Sequence, residues 1–306
     1  MDEILVSVVV TTFQHEKYIA KALDSILMQK TSFEIEILVA DDHSTDRTRN
    51  ILLDYKRKYG NRIKLCLRTN NLGATKNFYN IGIRAVGRYI AELEGDDYWT
   101  DEYKLEKQVR YLESNPDCMG VFCKCHFVGE HGNKLYLDYQ SMYDSKKYYS
   151  LEDFETGTLP GHTSASMYRN IFKDSASRYN FFYHIHGLVG DQTLYCILLS
   201  EGYFGYINKD MSAKRIVVKK DGTNAHSISV NNNYTFEMWK YYCNLEICIK
   251  RMGKNVNLKS RRKKEIIKAR GRIQSEKTIN NIVVYLKICV MELLWNLTAK
   301  FVSYIK

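Results

Sequence analysis

Short apolar runs alternate with amphipathic stretches over the first 125 residues of the chain. The apolar runs are rich in β-branched residues, which indicates buried strands. In the stretches between them, apolar side chains recur every three or four residues, which predicts helices with one buried face. The predicted strands are 5–11, 34–40, 63–67, 89–93 and 119–125. This alternation predicts an α/β fold with a mostly parallel central sheet that is covered on both faces.

The alternation fades after Cys125. Residues 126–233 are mixed, polar and rich in tyrosine, which favours loops, and the chain reads as helices from Tyr234 onward. We therefore predict one α/β domain over 1–233, with halves 1–125 and 126–233, and a basic helical region over 234–306. Within the first half, Ser44 is expected to cap the second helix.

Composition narrows the class of protein. The 306 residues are 45% apolar and 13% aromatic, so the chain can bury a substantial core. Its eight cysteines have no regular spacing, which fits a reducing compartment. Cys123, Cys125 and His126 would allow a zinc site, but no second ligand pair follows them. The N-terminus lacks the basic region of a signal peptide, so we expect a cytosolic protein.

The net charge of +10 is concentrated near the C-terminus, where residues 250–277 hold twelve Lys/Arg and two Glu. The apolar segment 279–305 follows, and Glu292, Asn296 and Lys300 would form one polar stripe on a helix there. A helix in the plane of an anionic membrane surface, over 250–305, suits this pattern. The alternatives are packing on a partner subunit, as in a homo-oligomer, or on the catalytic domain. No nucleic-acid recognition motif accompanies the basic block.

A carboxylate pair follows the fourth predicted strand, in the sequence Glu94-Gly95-Asp96-Asp97. Neighbouring carboxylates are costly to keep ionised unless a cation or fixed donors offset them. The ends of strands in α/β sheets are also where ligands bind. The pair therefore predicts a divalent metal, Mn²⁺ or Mg²⁺, that holds an anionic group such as a diphosphate.

Two common nucleotide-binding motifs are missing from the chain. The first predicted strand ends in Thr11-Thr12-Phe13-Gln14-His15, which contains no glycine, so the dinucleotide fingerprint is excluded. The chain contains no Walker Gly-Lys-Ser/Thr sequence either. A bound nucleotide must be held in another way.

Three segments in order, 8–13, 37–46 and 95–97, resemble the inverting family 2 glycosyltransferases of the GT-A fold. The similarity runs from about Val6 to Tyr111 and continues weakly to about residue 225. It implies a GT-A-like domain in which 1–125 binds the nucleotide-sugar and 126–233 binds the acceptor.

The resemblance implies roles for five residues. Thr11 and Phe13 match positions that flank the nucleobase, and Asp42 matches the carboxylate that accepts a hydrogen bond from uracil. Asp96 matches a residue near the ribose and metal, and Asp97 matches the metal-binding aspartate. Read without the resemblance, Phe13 is equally a core aromatic, and Asp42 suits a turn or a helix start.

An inverting transfer also needs a base for the acceptor hydroxyl. Asp191, in Gly190-Asp191-Gln192, matches the base position of the family, although a carboxylate at a helix start is also an ordinary N-cap. Lys76 matches a position near the diphosphate and is otherwise a solvated charge.

Acceptor-side residues are implied more loosely. His162 and Ser164 resemble the stretch beneath the acceptor, where a plain strand is equally consistent. His184 and His186 could line the acceptor pocket or lie exposed in a loop. Arg215, the segment 219–223 and His226 occupy the place of a late loop over the diphosphate. The match of this loop is loose.

We therefore expect transfer of a single sugar from a nucleotide-sugar, a UDP-sugar by the resemblance, to a hydroxyl of a glycan or lipid-linked glycan. The chain lacks the Gln-x-x-Arg-Trp element of processive relatives. We expect it to be cytoplasmic and peripheral at the inner face of the cell membrane. A nucleotidyltransferase that makes nucleotide-sugars and a non-catalytic membrane-associated scaffold are the alternatives.

Overall fold

The computed structural model describes residues 3–136, 147–173, 179, 181–217 and 232–304. The chain divides into two compact units. The first comprises Met1–Phe154 with Thr158–Val217, and the second comprises Glu155–Gly157 with Val218–Lys306. This division follows Val217, whereas the predicted one follows residue 233.

Ten strands form one sheet in the first unit. They are β1 Ile4–Thr12, β2 Glu34–Asp41, β3 Ile63–Leu67, β4 Tyr89–Glu94, β5 Tyr98–Trp99, β6 Cys118–Val128, β7 Lys134–Leu135, β8 Tyr148–Tyr149, β9 Ser166–Arg169 and β10 Tyr203–Arg215. The main order is β3-β2-β1-β4-β9-β6-β10-β5, with β7 on β6 and β8 on β10. The six longest strands run in one direction, because β9 is antiparallel to both β4 and β6. The predicted α/β fold with a mostly parallel sheet is confirmed.

Among the described residues, seven α-helices belong wholly or largely to this unit. They are α1 Ile19–Leu27, α2 Thr48–Tyr59, α3 Ala74–Gly82, α4 Lys104–Ser114, α5 Leu151–Thr156, α6 Phe182–Ile185 and α7 Gly190–Leu199. The apolar faces of α1 and α4 pack with β1, β2 and β4 in the main core. This core includes Val8, Leu23 and Leu105, each fully buried.

Two local expectations change in the first unit. Ser44 does not cap α2, which begins at Thr48; instead, the Ser44 hydroxyl accepts a hydrogen bond from the backbone N–H of Gln14 at 2.9 Å. Strand β10 was not predicted, because its polar positions at Asn208, Lys209 and Asp210 break the apolar run. These positions lie where the register with β6 shifts.

Three helices dominate the second unit: α8 Asn232–Arg251, α9 Lys259–Ser275 and α10 Ile279–Tyr304. Helical structure was predicted from residue 234 onward. Their common core contains Trp239 of α8, Ala269 of α9 and Ile288 of α10.

The acidic residue of α10 faces this core. Glu292 is buried, and its carboxylate accepts hydrogen bonds from Trp239 Nε1 at 2.8 Å and from Arg262 Nε at 3.1 Å. Arg262 also pairs with Glu246 of α8. Glu292 therefore faces this core, bonded to the buried Arg262, and the half-buried Asn296 donates back to the Glu292 carbonyl at 2.8 Å. The side chain of Lys300 lies outside the described residues.

The outward face of α10 is apolar. Eight exposed side chains recur at spacings of three and four residues along it, which places them on one face. They are Ile279, Ile282, Val283, Leu286, Val290, Leu293, Leu294 and Leu297. Within the described residues, Ile279–Leu297 is the one helical segment whose length and composition would suit a membrane span.

Candidate active site

The carboxyl ends of three neighbouring strands form one edge of the sheet. Thr12 of β1 lies beside Asp41 of β2, and Thr11 lies beside Glu94 of β4. Because these strands are parallel, their terminal side chains and the loops that follow them meet at this edge. The predicted chemistry of the first half therefore gathers at one place.

The turn after β4 is held by its backbone. Gly95 N–H donates to the Thr11 carbonyl at 2.9 Å, and Asp97 N–H donates to the Glu94 carbonyl at 3.0 Å. A Cβ atom on Gly95 would lie 2.7 Å from the Thr12 hydroxyl and 2.9 Å from His15 Nδ1. A glycine is therefore required before the aspartate pair.

Asp97 is buried, with 1% of its surface exposed. One carboxylate oxygen accepts from the backbone N–H of Arg215 at 2.8 Å, and the other accepts from the Ser164 hydroxyl. His162 Nδ1 and Lys214 Nζ lie 3.7 Å and 3.6 Å from the second oxygen. Asp97 thus accepts hydrogen bonds from the turn before β9 and from the end of β10, while His162 Nδ1 itself accepts from the Ser164 backbone N–H at 3.3 Å.

Asp96 lies in a more open position. Its carboxylate is one-fifth exposed and lies 3.8 Å from His15 Nε2. Arg215 Nε donates to the Asp96 carbonyl at 2.9 Å, and the Arg215 guanidinium stacks on Tyr18, 4.6 Å from the ring centre. The two adjacent aspartates therefore have different surroundings, one enclosed and one facing the edge of the site.

Lys214 is the cation of this cluster and was missed by sequence reasoning. Its ammonium pairs with the Glu94 carboxylate and lies near Asp97. Partial burial opposes ionisation of Glu94, but the charge of Lys214 outweighs it and holds the pKa of Glu94 at about 2. Burial raises the pKa of Asp97 to about 8, against the attraction of Lys214 and with repulsion from Asp96 and Glu94. One ammonium therefore holds Glu94 ionised but does not fully offset the burial of Asp97.

Glu94, Asp97 and His162 could together hold a metal ion. Each offers one ligand atom, and these atoms lie within 4.8 Å of one another. Two carboxylate oxygens and an imidazole nitrogen suit Mn²⁺. The two carboxylates also suit Mg²⁺, which prefers oxygen ligands. Burial and the nearby Lys214 lower the pKa of His162 to about 3, so its ring is neutral and has a lone pair for a metal. The donor set fits the predicted metal.

Asp42 fixes the loop that precedes α3. Its two carboxylate oxygens accept from the backbone N–H groups of Leu72 at 2.8 Å and of Gly73 at 2.9 Å. Gly73 has φ +83°, a conformation that favours glycine. Thr11 is half-buried and Phe13 is 41% exposed at the same edge of the sheet. The structure thus gives Asp42 a loop-holding contact that the sequence did not indicate.

Asp191 lies in the first turn of α7 and is half-buried. Burial raises its pKa to about 6, with repulsion from Glu94 adding to the effect and attraction to Lys214 opposing it. The charges of the Glu94–Lys214 pair therefore affect the pKa of Asp191. Glu92, a second residue missed from the sequence, is buried beside them and accepts a hydrogen bond from Tyr168. Burial raises the pKa of Glu92 to about 8.

Neither Glu92 nor Glu94 was assigned a role from the sequence, although the sequence of β4 contains a pattern that indicates both. Glu92 and Glu94 alternate with apolar residues in a strand that is otherwise buried, so both lie on one face of β4.

The predicted acceptor residues separate into two groups. His162 and Ser164 lie against Asp97. His184 is exposed, and its ring packs on Tyr183 with the ring centres 4.3 Å apart. His186 Nδ1 accepts from the Leu188 backbone N–H at 3.1 Å.

Lys76 is exposed, with its ammonium 5.3 Å from the Tyr183 ring centre. Lys76 thus shares Tyr183 with His184. Residues 219–223 and His226 lie outside the described residues.

A family model, described as "Glycosyl transferase family 2", matches residues 7–175. An uncharacterized Mycobacterium tuberculosis protein is 41% identical over 128 residues, which are 42% of this chain and 37% of that protein. The candidate teichuronic acid biosynthesis glycosyltransferase TuaG of Bacillus subtilis is 38% identical over 131 residues, 43% of this chain and 50% of TuaG. The matches thus span half or less of the length of these two relatives.

Two solved structures share the fold. S. aureus TarS 1-349 in complex with UDP-GlcNAc has a TM-score of 0.60 at 17% identity, over 93% of this chain and 79% of that one. The mannosyltransferase PcManGT from Pyrobaculum calidifontis, in complex with GDP-Man and Mn²⁺, has a TM-score of 0.56 at 15% identity, over 94% and 80%. At these identities the likeness establishes a common fold.

Proposed function

This chain belongs to glycosyl transferase family 2, and we propose that it transfers one sugar from a UDP-sugar to a hydroxyl of a glycan acceptor with inversion. The observation that carries the proposal is the gathering of Glu94, Asp97 and His162 at the sheet edge, within electrostatic reach of Asp191. TarS and PcManGT, which share the fold, were solved with nucleotide-sugars.

The donor side of the proposal uses the ends of β1, β2 and β4. Thr11 and Phe13 would flank the base, and Phe13 is exposed enough to stack on it. Asp42 would accept from the base while it holds the loop before α3. Asp96, the more open aspartate, would face the ribose, and Lys76 would serve the diphosphate.

Metal dependence is part of the proposal. Glu94, Asp97 and His162 would hold Mn²⁺ or Mg²⁺, a set that extends the single ligand Asp97 expected from the sequence. A bound ion would supply positive charge that offsets the diphosphate as it leaves.

Asp191 is the proposed general base. Its carboxylate would take the proton of the acceptor hydroxyl while that oxygen forms a bond to the anomeric carbon. The bond from this carbon to the diphosphate breaks at the same time, so the configuration inverts. A base works best with a pKa near the working pH, and a pKa of about 6 leaves Asp191 ionised at pH 7. His162, Ser164, His184 and His186 remain proposed acceptor contacts.

The transfer assay combines a panel of nucleotide-sugars with glycan acceptors and identifies both products. We expect release of UDP and a product of inverted anomeric configuration by NMR. The variant Asp191→Asn should lower kcat by at least about a hundredfold. The matched control Asp54→Asn changes an exposed carboxylate on α2 that pairs with Arg57 and should leave the rate unchanged.

Other outcomes would reject parts of the proposal. Release of inorganic diphosphate would indicate a nucleotidyltransferase, and retained configuration would remove the inverting role of Asp191. Turnover that survives Asp191→Asn would assign the base to another group. Binding of donors with no turnover on any acceptor would favour the scaffold alternative.

We further propose that the protein works in the cytoplasm at the inner membrane face, on a lipid-linked glycan. The exposed apolar face of α10, Ile279 to Leu297, would enter the interface between lipid headgroups and chains. Residues 250–277, with twelve Lys/Arg and two Glu, would be attracted to anionic lipid.

An interfacial position suits α10 better than a span. Its inward face carries Glu292, bonded to Arg262 of α9, and α9 also carries exposed Lys263 and Lys264. A spanning α10 would bring these charges into hydrocarbon, which is costly. A helix in the interface keeps the ion pair within the protein and the lysines near headgroups.

A further inference from the structure

The Lys214 ammonium lies among the groups that could hold a metal ion. It lies one residue before the end of β10, and its ammonium pairs with Glu94 and lies 3.6 Å from the Asp97 carboxylate. Its side chain is 17% exposed, and that of Asp97 is fully buried. The ammonium therefore bridges two of the three groups whose ligand atoms converge.

A divalent cation at this site would use the same oxygens. The oxygen of Asp97 nearest to Lys214 is also the one nearest to His162 Nδ1, at 3.7 Å, so it points into the convergence of all three groups. Its neighbouring oxygen is already bonded to the Arg215 backbone N–H. A metal ion within ligand distance of these oxygens would lie a few ångströms from the ammonium. Like charges at that separation repel strongly in a buried site.

We propose that Lys214 is an internal counter-ion that competes with a divalent cation for Glu94 and Asp97. Metal binding at these carboxylates requires the ammonium to leave them. In the metal-free protein the same ammonium attracts the buried Asp97 and the partly exposed Glu94, and so reduces the repulsion between them. This inference rests on the proposed metal site, and it concerns the affinity of that site and not the transfer reaction.

Competition predicts an increase in metal affinity when the ammonium is removed. The probe is Mn²⁺ alone, without donor or acceptor, measured by calorimetry and by the EPR signal of free Mn²⁺. We expect Lys214→Met to lower the Kd for Mn²⁺ by at least about tenfold. The matched control Lys209→Met lies on the same strand and pairs with Asp101 at 2.8 Å, outside the cluster. It should leave the Kd unchanged.

Stability provides a second readout that does not depend on activity. Lys214→Met should lower Tm in EDTA, and Mn²⁺ should raise the Tm of the variant by more than it raises the Tm of the wild type. If the variant does not fold without metal, Lys214→Gln, which keeps a hydrogen-bond donor, takes its place. In either background, Glu94→Gln should weaken Mn²⁺ binding.

The results separate the inference from the proposed function. Equal or weaker Mn²⁺ binding in both Lys214 variants would overturn the inference, even if the wild type transfers sugar. Tighter binding with no transfer from any nucleotide-sugar would support the inference and reject the function. If Lys209→Met tightens Mn²⁺ binding to the same extent, the cause is the loss of positive charge in general. That result would also overturn the inference.

Discussion

At the scale of single residues, the acidic side chains of the site differ because their neighbours differ. Glu94 pairs with Lys214, whose attraction outweighs burial and keeps its pKa at about 2. Within the described part of the chain Asp191 forms no ion pair, and burial raises its pKa to about 6. Groups whose surroundings separate their pKa values are suited to different roles. Glu94 is suited to hold a cation, and Asp191 is suited to exchange a proton.

The pKa of Asp191 predicts an acid limit on activity. Its carboxylate must be ionised to accept a proton, so kcat should fall about tenfold per pH unit below about pH 6 and level off above it. The measurement is a pH profile of kcat from pH 4.5 to 8 with saturating Mn²⁺ and donor. The residual rate of Asp191→Asn should lose this limit. An unchanged limit in that variant would assign it to another group.

At the scale of elements, the site depends on loops that are joined to each other. Asp42 at the end of β2 accepts from Leu72 and Gly73, which precede α3. The Thr75 backbone N–H in α3 donates to the Gly187 carbonyl at 3.2 Å, just before α7. A chain of contacts thus links the nucleotide-side loop to the helix that carries Asp191.

Loss of the Asp42 carboxylate should weaken the hydrogen bonds that join these loops. In Asp42→Asn, only one side-chain oxygen remains to accept two backbone N–H groups. We expect a loss of about 2 kcal/mol in stability and a raised KM for the donor. Hydrogen exchange at Leu72 and Gly73 should become faster.

Asp24→Asn is the control for this loop, because the Asp24 carboxylate accepts a hydrogen bond from Tyr55 at the surface, at 2.8 Å. It should change neither KM nor exchange at Leu72 and Gly73. Protected Leu72 and Gly73 amides in Asp42→Asn would contradict the loop-holding role.

At the scale of the whole molecule, the second unit buries charged side chains and exposes apolar ones. Two of its ion pairs, Arg262 with Glu246 and with Glu292, are buried among α8, α9 and α10. Its leucines on the outer face of α10 are exposed, with Leu286 at 55% and Leu293 at 63%. A contiguous exposed apolar face usually marks a surface that contacts a membrane or another protein.

The outer face of α10 should bind anionic vesicles. The protein is tested in a flotation assay with two kinds of vesicle. One kind contains phosphatidylcholine alone, and the other contains phosphatidylcholine mixed with phosphatidylglycerol. The double variant Leu286→Asp/Leu293→Asp should lower partitioning more than tenfold, because two leucines no longer enter the interface. The control Leu53→Asp, a 45% exposed leucine on α2, should partition like the wild type. Donor hydrolysis should be equal in all three proteins.

Two results would contradict an interfacial helix. Protein that resists alkaline carbonate extraction would contain a spanning α10. A wild-type dimer that does not float, and that becomes monomeric in the double variant, would assign the face to a second copy of the chain. High salt should reduce flotation on phosphatidylglycerol, because the basic segment 250–277 contributes charge attraction.

Local patterning by itself determined the order of the first strands and helices, the end of β4 as a carboxylate site, and helices from residue 234 onward. Strands, helices and their alternation can be predicted from neighbouring residues alone, and this alternation indicates a parallel sheet. The carboxyl ends of parallel strands meet at one edge of the sheet, so the place of the site follows from the fold. The family resemblance also rested on segments in this half, and the family model matches residues 7–175.

Only the tertiary structure decided which partners complete the site and which face of α10 is exposed. Ser164 and Asp97 are 67 positions apart, and Lys214 reaches Glu94 from β10, so neither contact has a local signal. The spacing of Glu292 and Asn296 predicted one polar stripe on α10 and left the direction of that stripe open. Its direction depends on Arg262 of α9, because a buried guanidinium outweighs the tendency of Glu292 to face water.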